Sequence, residues 1–506
     1  MQPVYIAGAG LTKFGKSDST LTGLLCEAAN KALAGSPPES VDAVFIGAMN
    51  PEEFTGSGNT ACETVEALGL TGIPALRLET ASSAGAAALH AAFHAIASGY
   101  YRRVLVLGGE KMTHLSTSAV TRILAEVIDK EERVCGATMP ALAAMITESY
   151  RKKYRLSRSR LQSMLCKIAL KNHLNGSYNP NAQFRTPISE RDYFASKWVA
   201  TPLRLYDCSP ITDGAAGLVL TAEKTDLIIS GIGQATGPQG LCQRHTFTSF
   251  PATQVAARRA YAMAGIGPKE IDFAEVHDAF TIFEIMSTED LGFFAPGKGG
   301  EAALAGKTAL DGELPINPSG GLKSRGHPVG ASGLAQVVEA VNRLRGESKP
   351  KLKRTPVRAL TQSTGGLGAN NFVTIIERAE APRPAAAPRP APLPISLTPG
   401  RRQPPVASAA EGRLETFTVL HVTPDGFLAP LALGVVRTPK GQLVFAQGED
   451  IEHLKIGREV YLRRVGDHYC FTVKSQLQKV TEAFKKLLSR VAARSKRKPL
   501  PAEAKR

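Results

Sequence analysis

At 506 residues and 53.7 kDa, with 43% hydrophobic and 21% charged residues, the chain exceeds one compact core and excludes a globally disordered one. The formal charge of +16 suggests a nucleic-acid partner until it is located: the last 33 residues hold eleven Lys/Arg against two Asp/Glu, a net +9, and the other 473 residues carry only +7. The excess is a tail property rather than a basic groove, so no nucleic-acid role is assigned. No run of 18 apolar residues predicts a membrane span, and the first residues lack a basic, apolar leader, so a cytoplasmic protein is expected. Seven scattered cysteines contain no C-x-x-C pair, which predicts neither a zinc ribbon nor a dithiol site, and no metal is expected.

In chain order, short apolar runs at residues 4–8, 43–47, 104–108, 217–221, 227–232 and 372–376 predict strands. Helical patterns at 85–98, 160–172 and 252–264 lie between them, which predicts a layered α/β fold with buried sheets. Residues 214–223 echo the strand around 104–110, a hint of two related halves. Nine prolines among residues 380–405 predict an extended spacer. Beyond it, runs at 414–422, 432–437, 442–446, 459–465 and 469–473, punctuated by turn residues, predict a small barrel. Residues 474–493 carry apolar side chains near helical spacing and lead into the basic cluster Arg494-Ser-Lys-Arg-Lys498, a solvated or anion-binding tail. The expected domains are therefore 1–225, 226–378, a linker at 379–411, a barrel at 412–473 and a tail at 474–506.

Three glycine-rich segments sit where strand meets helix. Leu78-Glu-Thr-Ala-Ser-Ser-Ala-Gly85 places Ser82 and Ser83 at a helix head, where backbone N–H groups favour negative charge; a serine N-cap is the plainer alternative. Gly326-His-Pro328 puts His327 in a loop of little side-chain bulk, suited to an imidazole aimed into a cavity or simply into solvent. Thr361-Gln-Ser-Thr-Gly-Gly-Leu-Gly368 permits close backbone approach to a ligand, or forms an ordinary hairpin turn. A fourth segment, Glu275-Val-His-Asp-Ala-Phe280, places His277 and Asp278 at a strand end. Taken alone, these pieces describe an α/β enzyme with two histidines and backbone donors for an oxyanion.

These segments, with Gly109-Glu-Lys-Met112, Lys171-Asn-His173, Asn179-Pro-Asn-Ala-Gln-Phe184, Asp207-Cys-Ser-Pro-Ile-Thr-Asp-Gly-Ala-Ala216, His277-Asp-Ala-Phe280 and Gly326-His-Pro-Val-Gly-Ala331, resemble the thiolase superfamily over residues 1–378. The likeness is to its sterol-carrier-thiolase-like branch, and residues 412–473 resemble the OB-fold domains that accompany such proteins. The resemblance implies two βαβαβαββ halves in α-β-α-β-α layers, a homodimer, a possible second subunit, and a coenzyme A thioester as substrate with no separate cofactor. It also implies a nucleophile at Ser82, acid/base or oxyanion roles for His277 and His327, and a second oxyanion hole from the N–H groups of Ser82 and Thr364 or Gly365.

The chain departs from the family pattern at every thiol. Ala81-Ser-Ser-Ala-Gly85 stands where relatives read Ala-Cys-x-Ser-Gly, Gln362 stands where a second cysteine falls, and Ala279 follows His277-Asp278 where sterol-carrier enzymes place a cysteine. A hydroxyl needs a general base in the transition state where a thiol ionises readily. The expected function is carbon–carbon bond chemistry beside the thioester of an acyl-CoA, of acyltransferase type, with Ser82 as nucleophile. The alternatives are a thiolase-like aldolase that cleaves a β-hydroxyacyl-CoA without an acyl-enzyme, and a non-catalytic subunit that binds CoA esters. Cys62 and Cys135 are candidates for buried thiols or for the cleft, Cys208 for the core, and Lys171 and Asp213 for braces of the fold. The loops at 116–140 and 238–251 are expected to set acyl specificity.

Overall fold

The computed structural model describes residues 1–34, 36–381 and 409–474. Most of the predicted linker and all of the tail beyond Lys474 lie outside the described residues. Eleven strands form the body: β1 (Tyr5–Leu11), β2 (Ala43–Gly47), β3 (Ala75–Leu78), β4 (Arg103–Glu110), β5 (Trp198–Ala200), β6 (Leu203–Arg204), β7 (Gly214–Thr221), β8 (Leu227–Thr236), β9 (Phe273–Glu275), β10 (Arg358–Gly365) and β11 (Asn370–Arg378). Nine of them make one sheet in the order β3-β2-β4-β7-β1-β8-β11-β10-β9, its two parts joined at Tyr5 opposite Ile228.

The two parts repeat one plan. β1 is antiparallel to β7, β7 to β4, and β4 runs parallel to β2 and β2 to β3. In the second part β8 is antiparallel to β11, β11 to β10, β10 runs parallel to β9, and Ala274 of β9 bridges in parallel to Ile316 in the place of a fifth strand. The sequence shows this duplication in a place not anticipated. The echo between 214–223 and 104–110 links β7 and β4, which are neighbours in the same half. The matching elements are instead Gly-x-Gly pairs in β1 and β8. A Cβ on Gly8 would lie 1.9 Å from Ala32 O, and one on Gly233 would lie 1.9 Å from Ala256 O, so both strands touch an outer helix backbone to backbone.

Strand β4 illustrates why the layers stack. Leu105 and Leu107 face the Leu21–Ala32 helix, while Val104 and Val106 face the central helix Ala84–Ala97, so both faces are buried as the continuous apolar run requires. The Ala84–Ala97 helix shares its middle layer with Val329–Arg345, and Pro251–Ala264 covers β8 and β11 on the far side. The strands at 75–78, 273–275 and 358–365 were not predicted, because they are short or polar. The segment 361–368 is not simply a turn: it is the end of β10 followed by the 366–369 turn into β11.

The C-terminal barrel consists of β12 (Ala409–Leu420), β13 (Leu431–Arg437), β14 (Leu443–Gly448), β15 (Glu459–Val465) and β16 (His468–Val473). The order β13-β14-β16-β15-β12 closes through β12 and β13, with β14 and β16 parallel. β12 begins earlier than the predicted run, inside the expected linker. Leu414, Val436, Val460, Leu462 and Phe471 fill the barrel, while Leu420, Leu433, Val435 and Phe445 join the body core that contains Leu142, Met145 and Phe250. β12 also pairs with β5 at Leu420 and Ala200, and Thr416 Oγ1 donates to Met145 O at 2.7 Å.

Gly136 lies in this seam with φ 84°, and a Cβ there would sit 2.9 Å from Leu431 and 3.0 Å from Phe427. Gly136→Ala is expected to cost about 1–3 kcal/mol through backbone strain and overpacking. A lowered thermal midpoint with unchanged secondary structure would show it; an unchanged midpoint would place the barrel's anchorage elsewhere.

Candidate active site

The two central helices meet head to head. A Cβ on Gly85 would lie 2.6 Å from Gly330 O, and one on Gly330 would lie 2.5 Å from Gly109 O. Ser82 precedes the first contact residue by three positions and His327 precedes the second by three, so both are delivered to the joined helix heads. Glu110 fixes this junction by accepting from Met49 N at 2.8 Å and Gly330 N at 3.1 Å, and burial pushes it up to about 7.

The segment around Ser82 is an elbow. Ala81 has φ 55°, a left-handed conformation costly for a residue with a Cβ. Ala81 N donates to Glu79 Oε1 at 2.5 Å, and Ser83 Oγ donates to Thr80 O at 2.7 Å. Ser83, not Ser82, occupies the N-cap of the Ala84–Ala97 helix, and its hydroxyl caps nothing because it is turned back to Thr80. The plainer serine-cap expectation for Ser82 is therefore overturned. Ser82 is half-buried and stands outside the elbow's own side-chain hydrogen bonds.

Thr364 and Gly365, at the end of β10, are brought to this elbow. A Cβ on Gly365 would meet Thr80 O at 1.9 Å and Ser83 Oγ at 2.5 Å, so only a glycine lets the two backbones approach. Asn370 Nδ2 reaches Thr80 O at 3.5 Å from the other side of the turn.

His277 and His327 face each other edge to face, with ring centroids 5.2 Å apart at 86°. The His327 loop is pinned by its own N–H, which donates to Thr212 Oγ1 at 2.9 Å. Its Nδ1 lies 2.7 Å from Ser332 Oγ, and the Ser332 hydroxyl gives its one proton to Pro328 O at 2.8 Å. Nδ1 of His327 must then be the donor, which leaves Nε2 with a bare lone pair. His277 is the complement. Its Nδ1 is buried with no hydrogen-bond partner, and a lone pair tolerates that better than an orphaned N–H, so its proton sits on Nε2. One imidazole is arranged as an acceptor, the other as a donor.

Burial holds both rings neutral. It pushes His327 down to about 3, with the Arg325 guanidinium as a further cause. Burial, then the neighbouring His327 and the Arg325 guanidinium, keeps His277 well below the ordinary histidine value.

The neighbouring polar residues are braces. Asp278 accepts from Leu322 N and from Asn172 Nδ2, both at 2.7 Å. Lys171 donates to Ile316 O at 2.5 Å and pairs with Glu284 at 3.0 Å; Asp213 accepts from Lys111 Nζ at 2.7 Å and from Met112 N at 2.6 Å. Gln362 holds His277: its Oε1 accepts from His277 N at 2.9 Å, and its Nε2 donates to Thr364 Oγ1 at 2.5 Å. Cys62 is exposed on the surface, Cys135 is buried against the barrel with its thiol pushed up to about 12 by burial, and Cys208 is half-buried beside Phe280. Ser332 and the bracing role of Gln362 were not anticipated; the spacing of Ser332, five residues beyond His327 at a helix start, is the one available signal. Among the described residues, no cluster of His, Cys, Asp and Glu is arranged to hold a metal, and no helix is long and apolar enough to cross a membrane.

The comparisons agree with this architecture. Residues 4–224 match the thiolase N-terminal domain and residues 233–378 match the thiolase C-terminal domain-like family. An acetyl-CoA acetyltransferase of Methanothermobacter thermautotrophicus is 39% identical over 389 residues, covering 75% of this chain and 100% of that protein. Among solved structures, a monomeric SCP2-thiolase-like protein type 1 of Mycobacterium smegmatis aligns over 93% of this chain and 99% of its own, with TM-score 0.70 and 17% identity. The Ltp2-ChsH2(DUF35) aldolase aligns over 75% of this chain and 99% of its own, with TM-score 0.64 and 23% identity. The chain belongs to the thiolase family and has the thiolase fold, with a closed five-stranded barrel attached.

The complementary tautomers have a spectroscopic signature. Ring ¹⁵N spectra are expected to show His327 neutral and protonated on Nδ1, and His277 neutral and protonated on Nε2, throughout pH 5–8. Because both values are depressed, protonation would appear only well below pH 5. A midpoint near 6.5 for either ring would contradict the arrangement.

Proposed function

We propose that this chain is an acyl-CoA acyltransferase of thiolase type in which Ser82 takes the acyl group. The observation that carries the reading is the arrangement of the helix junction, where Gly85 abuts Gly330: three residues before one lies Ser82 on a strained elbow, three before the other lies His327 with a bare Nε2. His327 Nε2 accepts the Ser82 proton as Oγ attacks the thioester carbonyl, and the proton passes to the departing CoA thiolate. The resulting oxyanion faces the N–H groups at Ser82 and at Thr364 or Gly365, where preorganised donors in a dry site are worth about 3–4 kcal/mol each. In the second half-reaction His327 removes an α-proton from a second acyl-CoA, and His277 Nε2–H stabilises the enolate oxygen. The carbanion then attacks acyl-Ser82, the C–Oγ bond breaks, and protonated His327 returns its proton to the departing Ser82 Oγ. Both former thiol positions, Gln362 and Ala279, have no acid/base group to offer, so one base serves both steps.

A second reading has its own support. A site with an enolate donor and no thiol suits a retro-aldol cleavage of a β-hydroxyacyl-CoA without an acyl-enzyme, and an aldolase stands among the neighbours in fold. The third possibility, a CoA-ester-binding subunit without turnover, is what an idle site would leave.

The barrel order, numbered 1-2-3-5-4-1 from β12 with the third and fifth strands parallel, supports an OB-like module. Strand β3 is an edge of the sheet, and Leu76 on it is 57% exposed, which supports the homodimer with β3 at its face.

Intact-mass measurement after incubation with a panel of acyl-CoAs should show one acyl increment on the native chain and none on Ser82→Ala. Turnover of β-ketoacyl-CoAs should fall by about 10³-fold or more in that variant. Cleavage of a β-hydroxyacyl-CoA that survives Ser82→Ala would replace the acyltransferase reading with the aldolase one.

A further inference from the structure

Within the loop at 238–251, one buried polar side chain, Arg244, points to the hairpin turn that follows Thr364 and Gly365. Arg244 is buried, and its Nη2 donates to Leu367 O inside that turn and to Pro238 O at 3.4 Å. Its guanidinium also lies 5.5 Å from the Phe250 ring centroid. Phe250 presses on the same turn: a Cβ on Gly368, at φ 80°, would come within 2.4 Å of it. The turn therefore has a lid of Phe250 and Arg244.

Arg244 is in turn tied toward the barrel. Glu132 Oε1 accepts from Cys242 N at 3.1 Å, two residues before Arg244, and the charge of Glu132 lies close enough to act on the guanidinium. Glu132 stands on the short helix Lys130–Val134, which ends at Cys135 and Gly136 against the barrel. There Gln447 Nε2, on β14, donates to Cys135 O at 3.1 Å, and Cys135 Sγ points at Phe445 O at 3.8 Å. Burial pushes Glu132 up to about 7 and Arg244 down to about 10, as expected for two groups withdrawn from water. Among the described residues the Arg244 Nε finds no hydrogen-bond partner, so the two carbonyls on Nη2 fix the guanidinium: moving either one costs a buried donor its partner.

We propose that Arg244 is a positioning residue that holds the 366–369 turn against the Ser82 elbow, and that the C-terminal barrel acts on the site through Gln447, Cys135, Glu132 and Arg244. The barrel is then part of the catalytic architecture. Displacing the turn shifts Thr364 and Gly365 relative to the reacting carbonyl. Misplacements on the order of 1 Å at such groups cost about 100-fold in rate.

The test uses the full chain with Arg244→Met, Arg244→Lys, Glu132→Gln and Gln447→Ala, compared by amide hydrogen exchange and by steady-state kinetics. In Arg244→Met the amides of 366–369 should exchange faster, with kcat reduced about 10–100-fold and KM within about twofold. Arg244→Lys should restore part of both, because an ammonium still reaches one carbonyl. Glu132→Gln and Gln447→Ala should loosen the same amides to a smaller degree, and they retain the fold if Arg244→Met does not. The rate readout rests on the proposed acyl transfer; the amide readout does not. An inactive native chain whose turn still loosens in these variants would sink the acyltransferase reading and leave the positioning role standing. Unchanged exchange at 366–369 in folded Arg244→Met and Gln447→Ala, or loosened amides with unchanged kcat, would overturn the role assigned to Arg244 and the barrel.

Discussion

Everything at the centre of this molecule depends on two helices being able to touch at their heads. Gly85 and Gly330 provide that contact, and no larger residue fits at either place without moving backbone. Each helix head carries unsatisfied N–H groups and a partial positive charge, and joining them doubles the effect in one small volume. A positive, dry junction disfavours protonated histidine and favours an oxyanion. Burial there, with the nearby Arg325 guanidinium, depresses His277 and His327, and the strained elbow and the abutting Gly365 lie beside the same contact.

This environment also bears on Ser82 as the proposed nucleophile. A thiolate benefits strongly from a helix head, because it is charged before it attacks. A serine is neutral until the transition state, so it depends on the base, and the base must be bare when the substrate arrives. The hydrogen bonds from His327 to Ser332 and from Ser332 to Pro328 O secure that condition through geometry alone. In the proposed acyl transfer the burden thus passes from the nucleophile's acidity to the histidine's tautomer.

The layered α/β body and the barrel were legible because their strands are apolar runs of the right length between turn residues. The internal duplication was read from the wrong pair, since β4 and β7 look alike for a local reason: both are buried on two faces beside the same helices. Of the candidate site, Ser82, His277, His327, Thr364 and Gly365 were accessible as members of glycine-rich segments and family motifs. Ser332, Gln362 and Arg244 were not, because each owes its role to a contact that chain order does not reveal. Gln362 looked like a lost cysteine and is a bracket for His277; Arg244 looked like one charge in a variable loop and reaches the turn 123 residues later. The barrel was expected as a separate module beyond a linker, yet Leu433 and Phe445 belong to the same apolar core as Phe250 and Leu367.

The most direct test of this account is a structure of the chain with a non-hydrolysable CoA thioester analogue bound. The account predicts the carbonyl oxygen at the helix junction, within hydrogen-bond distance of the N–H groups of Ser82 and Thr364 or Gly365, with Ser82 Oγ between the carbonyl carbon and His327 Nε2. A thioester bound away from the junction, or oriented with its carbonyl turned from Ser82, would contradict it.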